Sequence, residues 1–158
     1  MQFAIPVHQI RVAVLSTDGL WSSGHLFLKP LAQGHAGAET VLDRLNDRDQ
    51  FLPLQVPGDG SITLLNKAQI IRLIVPGGQP GDGVVSDPEP LAGRIEPVVV
   101  TVAPGQQLSG WLSIQAPQWL SRLSDYLNNV AGPFFPLYAD DGLHLINKQA
   151  VLRVQAQA

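Results

Sequence analysis

The 158-residue sequence contains no cysteine, and this absence excludes disulfides, thiolate metal sites and thiol nucleophiles. Charged residues are also scarce, at 15% of the chain against about a quarter in a typical globular protein. The hydrophobic share of 45% indicates a packed fold rather than a disordered chain. The net charge of −3 supplies no overall positive field, so we expect no DNA partner.

Two further absences concern location. The first residues show no basic segment ahead of an apolar stretch, so a secretory signal is not indicated. No uninterrupted apolar run approaches the roughly 18 residues of a membrane span. We therefore expect a cytoplasmic protein with no membrane partner.

Glycine and proline, in contrast, are abundant. The 15 glycines and 13 prolines exclude a bundle of long helices, because both residue types interrupt helices. The composition favours short strands joined by turns.

The most informative feature that is present is an internal repeat. Residues 62–73 (ITLLNKAQIIRL) recur as residues 143–154 (LHLINKQAVLRV) at a constant offset of 81. Shorter matches precede this block in the same order: residues 51–54 with 134–137, 41–46 with 123–128, and 24–28 with 110–114. Since four blocks match in order, we infer a tandem duplication.

The duplication divides the chain into three segments. We predict a first repeat over residues 1–76, a Gly- and Pro-rich linker over 77–95, and a second repeat over 96–158. Each repeat is predicted to contain two strands, a short helix and three further strands. Asn46 and Asn128 are placed to end the two helices.

The predicted fold class is mainly β with short helices. A unit of about 60–70 residues with five short strands must curl its sheet to bury both ends. We therefore predict two tandem small β-barrels.

The Asn-Lys pairs at residues 66–67 and 147–148 carry a family resemblance. With their apolar flanks they resemble the second motif of the Sm, LSm and Hfq proteins, where a two-residue turn joins the fourth and fifth strands. Lys67 and Lys148 match the lysine of that turn in bacterial Hfq, and Gly24 and Gly110 resemble the glycine of the first Sm motif. The helix follows the second strand here, whereas the family's helix precedes the first, and no Asp-x-x-Asn uracil pocket is evident. The resemblance implies an Sm-like or SH3-like barrel more than it implies RNA binding.

The candidate binding residues are polar side chains that occupy matched positions in both repeats. They are Asn66, Lys67, Arg72, Asn147, Lys148 and Arg153. Their amide and cationic groups could meet a phosphate or a base edge. The alternative is purely structural: the turn requires Asn, and the lysine is solvated.

The strand after the first Asn-Lys pair carries a further prediction. Strict alternation places Ile71 and Leu73 on one face and Ile70, Arg72 and Ile74 on the other. Because the second face is too apolar for open solvent, we expect this edge strand to pair with another subunit or with the sister repeat.

Catalytic patterns are weak in this sequence. Asp43 and Asp125 recur, but no matched carboxylate or histidine accompanies them, and acid-base catalysis needs a positioned partner. The four histidines lack metal-ligand spacing. We therefore expect no enzyme activity, metal or cofactor, and a hydrolase or metalloenzyme is the least supported alternative.

The sequence thus predicts a non-enzymatic protein-interaction, assembly or small-ligand binding module. Its expected partners are a protein or a second copy of the chain, joined through edge strands. RNA binding through the Asn-Lys turns is the alternative, and it is not favoured because phosphate recognition needs several free cations.

Overall fold

The computed structural model describes residues 8–30, 32, 37–77, 93–115, 122–130 and 132–157. Strands of the first half are β1 (His8–Ser16), β2 (Trp21–Leu28), β3 (Phe51–Gln55), β4 (Ile62–Asn66) and β5 (Ile70–Pro76), with helix α1 (Val41–Asn46). Strands of the second half are β6 (Gly93–Val102), β7 (Gln106–Gln115), β8 (Phe134–Ala139), β9 (Gly142–Asn147) and β10 (Val151–Ala156), with helix α2 (Leu123–Asn129). A 3-10 turn precedes β5 (Lys67–Gln69) and another precedes β10 (Lys148–Ala150).

All ten strands belong to one sheet, in the order β10-β6-β7-β8-β9-β5-β1-β2-β3-β4, and the described pairings are antiparallel. Within each half, the fifth strand lies beside the first, and the second, third and fourth strands follow. The mainly β prediction is therefore confirmed. The prediction of two separate barrels is not confirmed, because β9 pairs with β5 and joins the halves, while the end strands β10 and β4 leave the sheet open.

The predicted segment boundaries agree with these elements only in part. β6 begins at Gly93, so residues 93–95 are strand although they were predicted as linker. The rest of that segment from residue 78 lies outside the described residues. No helix in the described part of the chain combines the length and apolar character of a membrane span.

Apolar side chains form two cores, one for each half of the sheet. The first core is built from β1, β2, β3, β5 and α1, and it includes Leu26, Leu45 and Leu54. The second core is built around β6, β7 and β8, and it includes Val100 and Leu112. Each core also takes side chains from the other half, so the two halves are packed together.

A bulge changes the predicted faces of β5. Leu15 pairs with Arg72 and the next residue, Ser16, pairs with Ile70, so Ile71 has no partner in β1. The alternation is broken there, because a bulge inserts one extra residue. Ile70 and Leu73 consequently share the first core, whereas Ile71 enters the second, and the predicted grouping of Ile71 with Leu73 was wrong. Another subunit and the sister repeat were the two predicted partners of this strand, and the β5–β9 pairing shows that the second half of the same chain covers it.

Both halves have a glycine where the second strand approaches the third. β2 meets β3 at one pair, His25 with Gln55, and β7 meets β8 at one pair, Trp111 with Tyr138. A Cβ at Gly110 would collide with the carbonyl oxygen of Tyr138, and Gly24 lies against the matching backbone of β3. The glycines therefore permit the close approach of the two strands.

We predict that Gly110→Ala lowers the free energy of unfolding by about 1–3 kcal/mol, because the new methyl group has to displace backbone rather than a flexible side chain. Urea denaturation measures the change. The control is Ser109→Ala in the same strand, where the side chain is exposed and the effect should stay within about 0.5 kcal/mol. Equal stability of the two variants would contradict the close approach.

Candidate functional site

The two halves contact each other through strand pairing and side-chain packing, and we call this contact the seam. It comprises the β5–β9 pairing and the packing of the β8–β9 hairpin on the first core. Five residue pairs define the ladder, from Arg72 opposite Ile146 to Pro76 opposite Gly142. The seam therefore joins positions about 70 residues apart in sequence.

The β8–β9 hairpin is buried on both faces. Phe134, Leu143 and Leu145 lie in the first core and are 1%, 0% and 0% exposed. Side chains that alternate with them, including Phe135 and Ile146, lie in the second core. Because its own half covers only one face, the hairpin depends on the first half to exclude water from the other.

Two asparagine side chains cross the seam and bind backbone. Asn46 Nδ2 donates to the carbonyl oxygen of Phe134 at 3.2 Å, and its Oδ1 accepts from the N–H of Phe134 at 2.8 Å. Asn147 Nδ2 donates to the carbonyl oxygen of Ile70 at 2.9 Å. These amides form hydrogen bonds with backbone groups at the ends of strands. They fix the position of one half relative to the other without adding charge to the seam.

A polar cluster surrounds the buried Arg72 and extends from the buried His144 to exposed side chains. Its Nη1 donates to His144 Nδ1 at 3.0 Å, its Nη2 donates to Gln106 Oε1 at 3.0 Å, and its guanidinium lies 5.1 Å from the ring centroid of Trp21. Since Arg72 can only donate, His144 accepts through Nδ1 and donates from Nε2 to Asp141 Oδ1 at 2.7 Å.

Two pKa values in this cluster follow from its geometry. Burial lowers the pKa of the Arg72 guanidinium, and the charge of Asp141 opposes that shift. The hydrogen bond from His144 holds the pKa of the Asp141 carboxyl below its usual value. The arrangement keeps a cation inside the seam through shared hydrogen bonds, which suits a structural role.

The Asn-Lys pairs form the two 3-10 turns. Asn66 Oδ1 accepts from the N–H of Ala68 at 3.1 Å, and Asn147 Oδ1 accepts from the N–H of Gln149 at 3.0 Å. Both asparagines therefore have a structural role as caps, with φ of −73° and −72°. The sequence predicted a turn that requires Asn, but it did not predict this capping.

The lysine of each pair donates a hydrogen bond to a backbone carbonyl group near the carboxyl end of the helix in its own half. Lys67 is buried, and its Nζ donates to the carbonyl oxygen of Arg44 at 2.7 Å and forms an ion pair with Asp47. Lys148 Nζ donates to the carbonyl oxygen of Val130, which follows α2, at 2.5 Å. A cation at the carboxyl end of a helix satisfies carbonyl groups that lack a partner within the helix. The prediction of a solvated lysine was wrong for Lys67, because its side chain is needed inside the fold.

The matched arginines have unlike environments. Arg72 is buried in the seam, whereas Arg153 is exposed on β10. The recurring aspartates also have local structural contacts. Asp43 accepts from the N–H of Thr40 at 2.8 Å in a capping box at α1, and Asp125 pairs with Arg122 at 2.8 Å.

The two turns border one open cavity of about 300 Å³ between the halves. Lys67 and Ala68 line it from one side, and Asn147 and Gln149 line it from the other. Four charged residues lie along it, namely Asp47, Arg48, Asp49 and Lys67, and their charges balance. The cavity thus brings together one residue of each predicted pair, Lys67 and Asn147, without an excess of positive charge, and neither Asn66 nor Lys148 is among its lining residues.

The first half carries an exposed copy of the surface that the second half buries. Phe51, Ile62 and Leu64 are 48%, 52% and 61% exposed, and we call them the open face. They match Phe134, Leu143 and Leu145, which are buried at the seam. The matched blocks contain these apolar positions, but the sequence did not predict an exposed surface there. Strand patterning alone does not show which face of a strand is buried.

Among the residues that the structure describes, no group of three or more His, Asp or Glu side chains could hold a metal ion. No family model, curated protein or solved structure matches this chain. The seam, the cavity and the open face are therefore the features of the described chain that bear on its function.

We predict that Lys67→Ala and Lys148→Ala each lower the free energy of unfolding by about 1–3 kcal/mol, because each leaves a carbonyl at or directly after the end of a helix without its donor. Chemical denaturation provides the measurement. The exposed Lys29 supplies the control, since Lys29→Ala should change stability by less than about 0.5 kcal/mol. If both turn lysines behaved like Lys29, a structural role for them would be excluded.

Proposed function

We propose that this chain is a non-enzymatic assembly module that self-associates through its open face and its free strand edges. We further propose that its halves are two tandem small barrels of the Sm-like or SH3-like kind. The barrel description is supported by the return of the fifth strand to the first in each half and by a separate core for each half.

The open face is the observation that carries the proposal. The same apolar pattern is buried against a neighbouring unit in one half and exposed to solvent in the other. Contiguous exposed apolar side chains mark interaction surfaces in soluble proteins. A surface that already packs on a sister unit within the chain is therefore suited to pack on a similar unit of another chain.

The free energy available from burying the open face indicates that strand pairing also contributes to self-association. Removing the exposed parts of Phe51, Ile62 and Leu64 from water is worth roughly 2–5 kcal/mol in total. Association costs at least about 4 kcal/mol in lost translation and rotation. The open face alone is too small for stable association, so the adjacent edge of β4 should add hydrogen bonds.

RNA binding is less well supported by these contacts. Lys67 and Lys148 donate to helix carbonyls and Arg72 lies inside the seam, so Arg153 is the exposed cation of the predicted set. A single cation provides little phosphate affinity. Small-ligand binding is also less favoured, because the cavity is open and at the low end of the size range of ligand pockets.

We predict that the purified protein is larger than one chain at micromolar concentrations and that Ile62→Glu reduces its mass towards the monomer. A charge in the open face would have to be buried without a partner. Size-exclusion chromatography with light scattering measures the mass.

The matched control is Ile95→Glu, because Ile95 is 62% exposed on β6 and lies outside the open face. It should leave the mass unchanged. A strict monomer in the unsubstituted protein, or the same loss of mass in both variants, would refute self-association through this face.

A further inference from the structure

The two end strands of the described sheet are the repeat counterparts of the two strands that meet at the seam. β4 corresponds to β9, and β10 corresponds to β5, both at an offset of 81. Each chain thus carries a copy of both sides of the seam at opposite ends of its sheet. We propose that chains join head to tail, with β4 of one chain paired antiparallel to β10 of the next in the register of the seam. This inference rests on the proposed self-association and names its partner surfaces.

The seam specifies the register of this joint. Shifting each residue of the β5–β9 ladder by 81 positions yields the expected pairs Arg153–Leu65, Val154–Leu64, Gln155–Thr63, Ala156–Ile62 and Gln157–Ser61. In this register Ile62 and Leu64 occupy the positions that Leu143 and Leu145 hold at the seam. The side chains of Ile62 and Leu64 would therefore pack against the second core of the next chain.

Both sides of the expected joint lack the cover that their counterparts have. Leu152 on β10 is 56% exposed, whereas its counterpart Ile71 is 4% exposed. Val154 is half-buried, and its counterpart Leu73 is completely buried. β10 and the open face therefore both expose apolar side chains whose counterparts are buried at the seam, as expected for the two sides of one interface.

The asparagine contacts of the seam also have unused counterparts. Asn128 is the counterpart of Asn46, and it is exposed. Asn46 binds the backbone of Phe134, and the counterpart of Phe134 is Phe51. Asn66 is the counterpart of Asn147, and it would reach the carbonyl oxygen of Val151 in the next chain. The joint could thus repeat both amide contacts between chains.

The polar cluster is not repeated. Arg153 takes the place of Arg72, but His144 is replaced by Thr63 and Gln106 by Leu20. The joint therefore lacks a buried cation held by hydrogen bonds, and Arg153 can stay in solvent. We expect the joint to form reversibly, unlike the seam.

One position constrains how closely the joint copies the seam. Gly132 has a φ of +82°, and a Cβ there would collide with Asn46. Its counterpart in the first half is Asp49, which carries a side chain. Asn128 would have to approach Asp49 at a slightly different angle, so the joint is expected to match the seam in register rather than in every contact.

Head-to-tail pairing uses different surfaces on the two partners, so it continues to further chains. Such a contact produces a closed ring or an open filament, depending on the rotation between chains. A symmetric pairing of two β4 strands would instead stop at a dimer. This difference makes the inference testable by cross-linking.

The absence of cysteine makes the test clean, because two introduced thiols have no competitors. Thr63→Cys and Gln155→Cys are made as separate single variants, since both side chains are exposed and the fold should tolerate the changes. Opposite residues in an antiparallel pair lie about 4.5–5.5 Å apart between Cα atoms, within disulfide range. Mixing the two variants under mild oxidation should yield a disulfide-linked dimer as the main product on a non-reducing gel.

Each single variant oxidised alone should stay a single chain. A linked dimer from Thr63→Cys alone would show pairing of two β4 strands and would overturn the head-to-tail arrangement. The double variant with both thiols in one chain should produce a ladder of multimers or a covalently closed ring.

Register is tested by mixing Thr63→Cys with Arg153→Cys, which lies two residues away on the same side of β10. Diagonal neighbours are about 7–8 Å apart, too far for an unstrained disulfide. This mixture should cross-link at least about tenfold less than the matched pair. Equal yields would overturn the register.

The two proposals fail in distinguishable ways. If the unsubstituted protein is multimeric by light scattering but the matched pair does not cross-link, self-association stands and the β4–β10 joint is wrong. If the unsubstituted protein is a monomer and the matched pair does not cross-link, both are wrong.

Discussion

The structure depends on the two-sided burial of the β8–β9 hairpin. Its alternating side chains are apolar on both faces, and a single small core can cover only one of them. The other face is covered by the first half, where Phe134, Leu143 and Leu145 complete the core around α1. Hydrophobic burial therefore holds the halves together, and the β5–β9 ladder follows because burial brings two strand edges side by side.

Polar groups at the seam refine this packing. A one-residue slip of β5 against β9 would exchange the faces of every side chain. It would also separate Arg72 from His144 and Asn147 from the carbonyl oxygen of Ile70. Buried polar groups that lose their partners are costly, so these contacts act chiefly on register. The Asn-Lys turns have a related role within each half, because they connect the sheet to the end of the helix.

The two hairpins show how one pattern produces different surfaces. β3–β4 and β8–β9 share their apolar positions, yet Leu64 is 61% exposed and Leu145 is fully buried. The difference arises from the neighbour: β9 has β5 beside it, whereas β4 is an end strand of the described sheet. Within the chain, the apolar surface of one hairpin is therefore covered, and the matching surface of the other hairpin is exposed. The charged cluster at the seam distinguishes the internal contact from the surfaces at the ends.

Local patterns were sufficient to predict strands, short helices and turns, because periodicity and turn chemistry act over a few residues. The turns at the two Asn-Lys pairs were also predicted, and the sister repeat was one of two predicted partners for β5. The bulge at Ile71, the buried position of Lys67 and the continuous sheet were not, since each depends on pairings between residues far apart in the chain. By itself, then, the sequence determined two similar units with apolar strands. The tertiary structure decided which copy of each apolar face is covered, because identical patterns acquire different burial once only one of them has a neighbour.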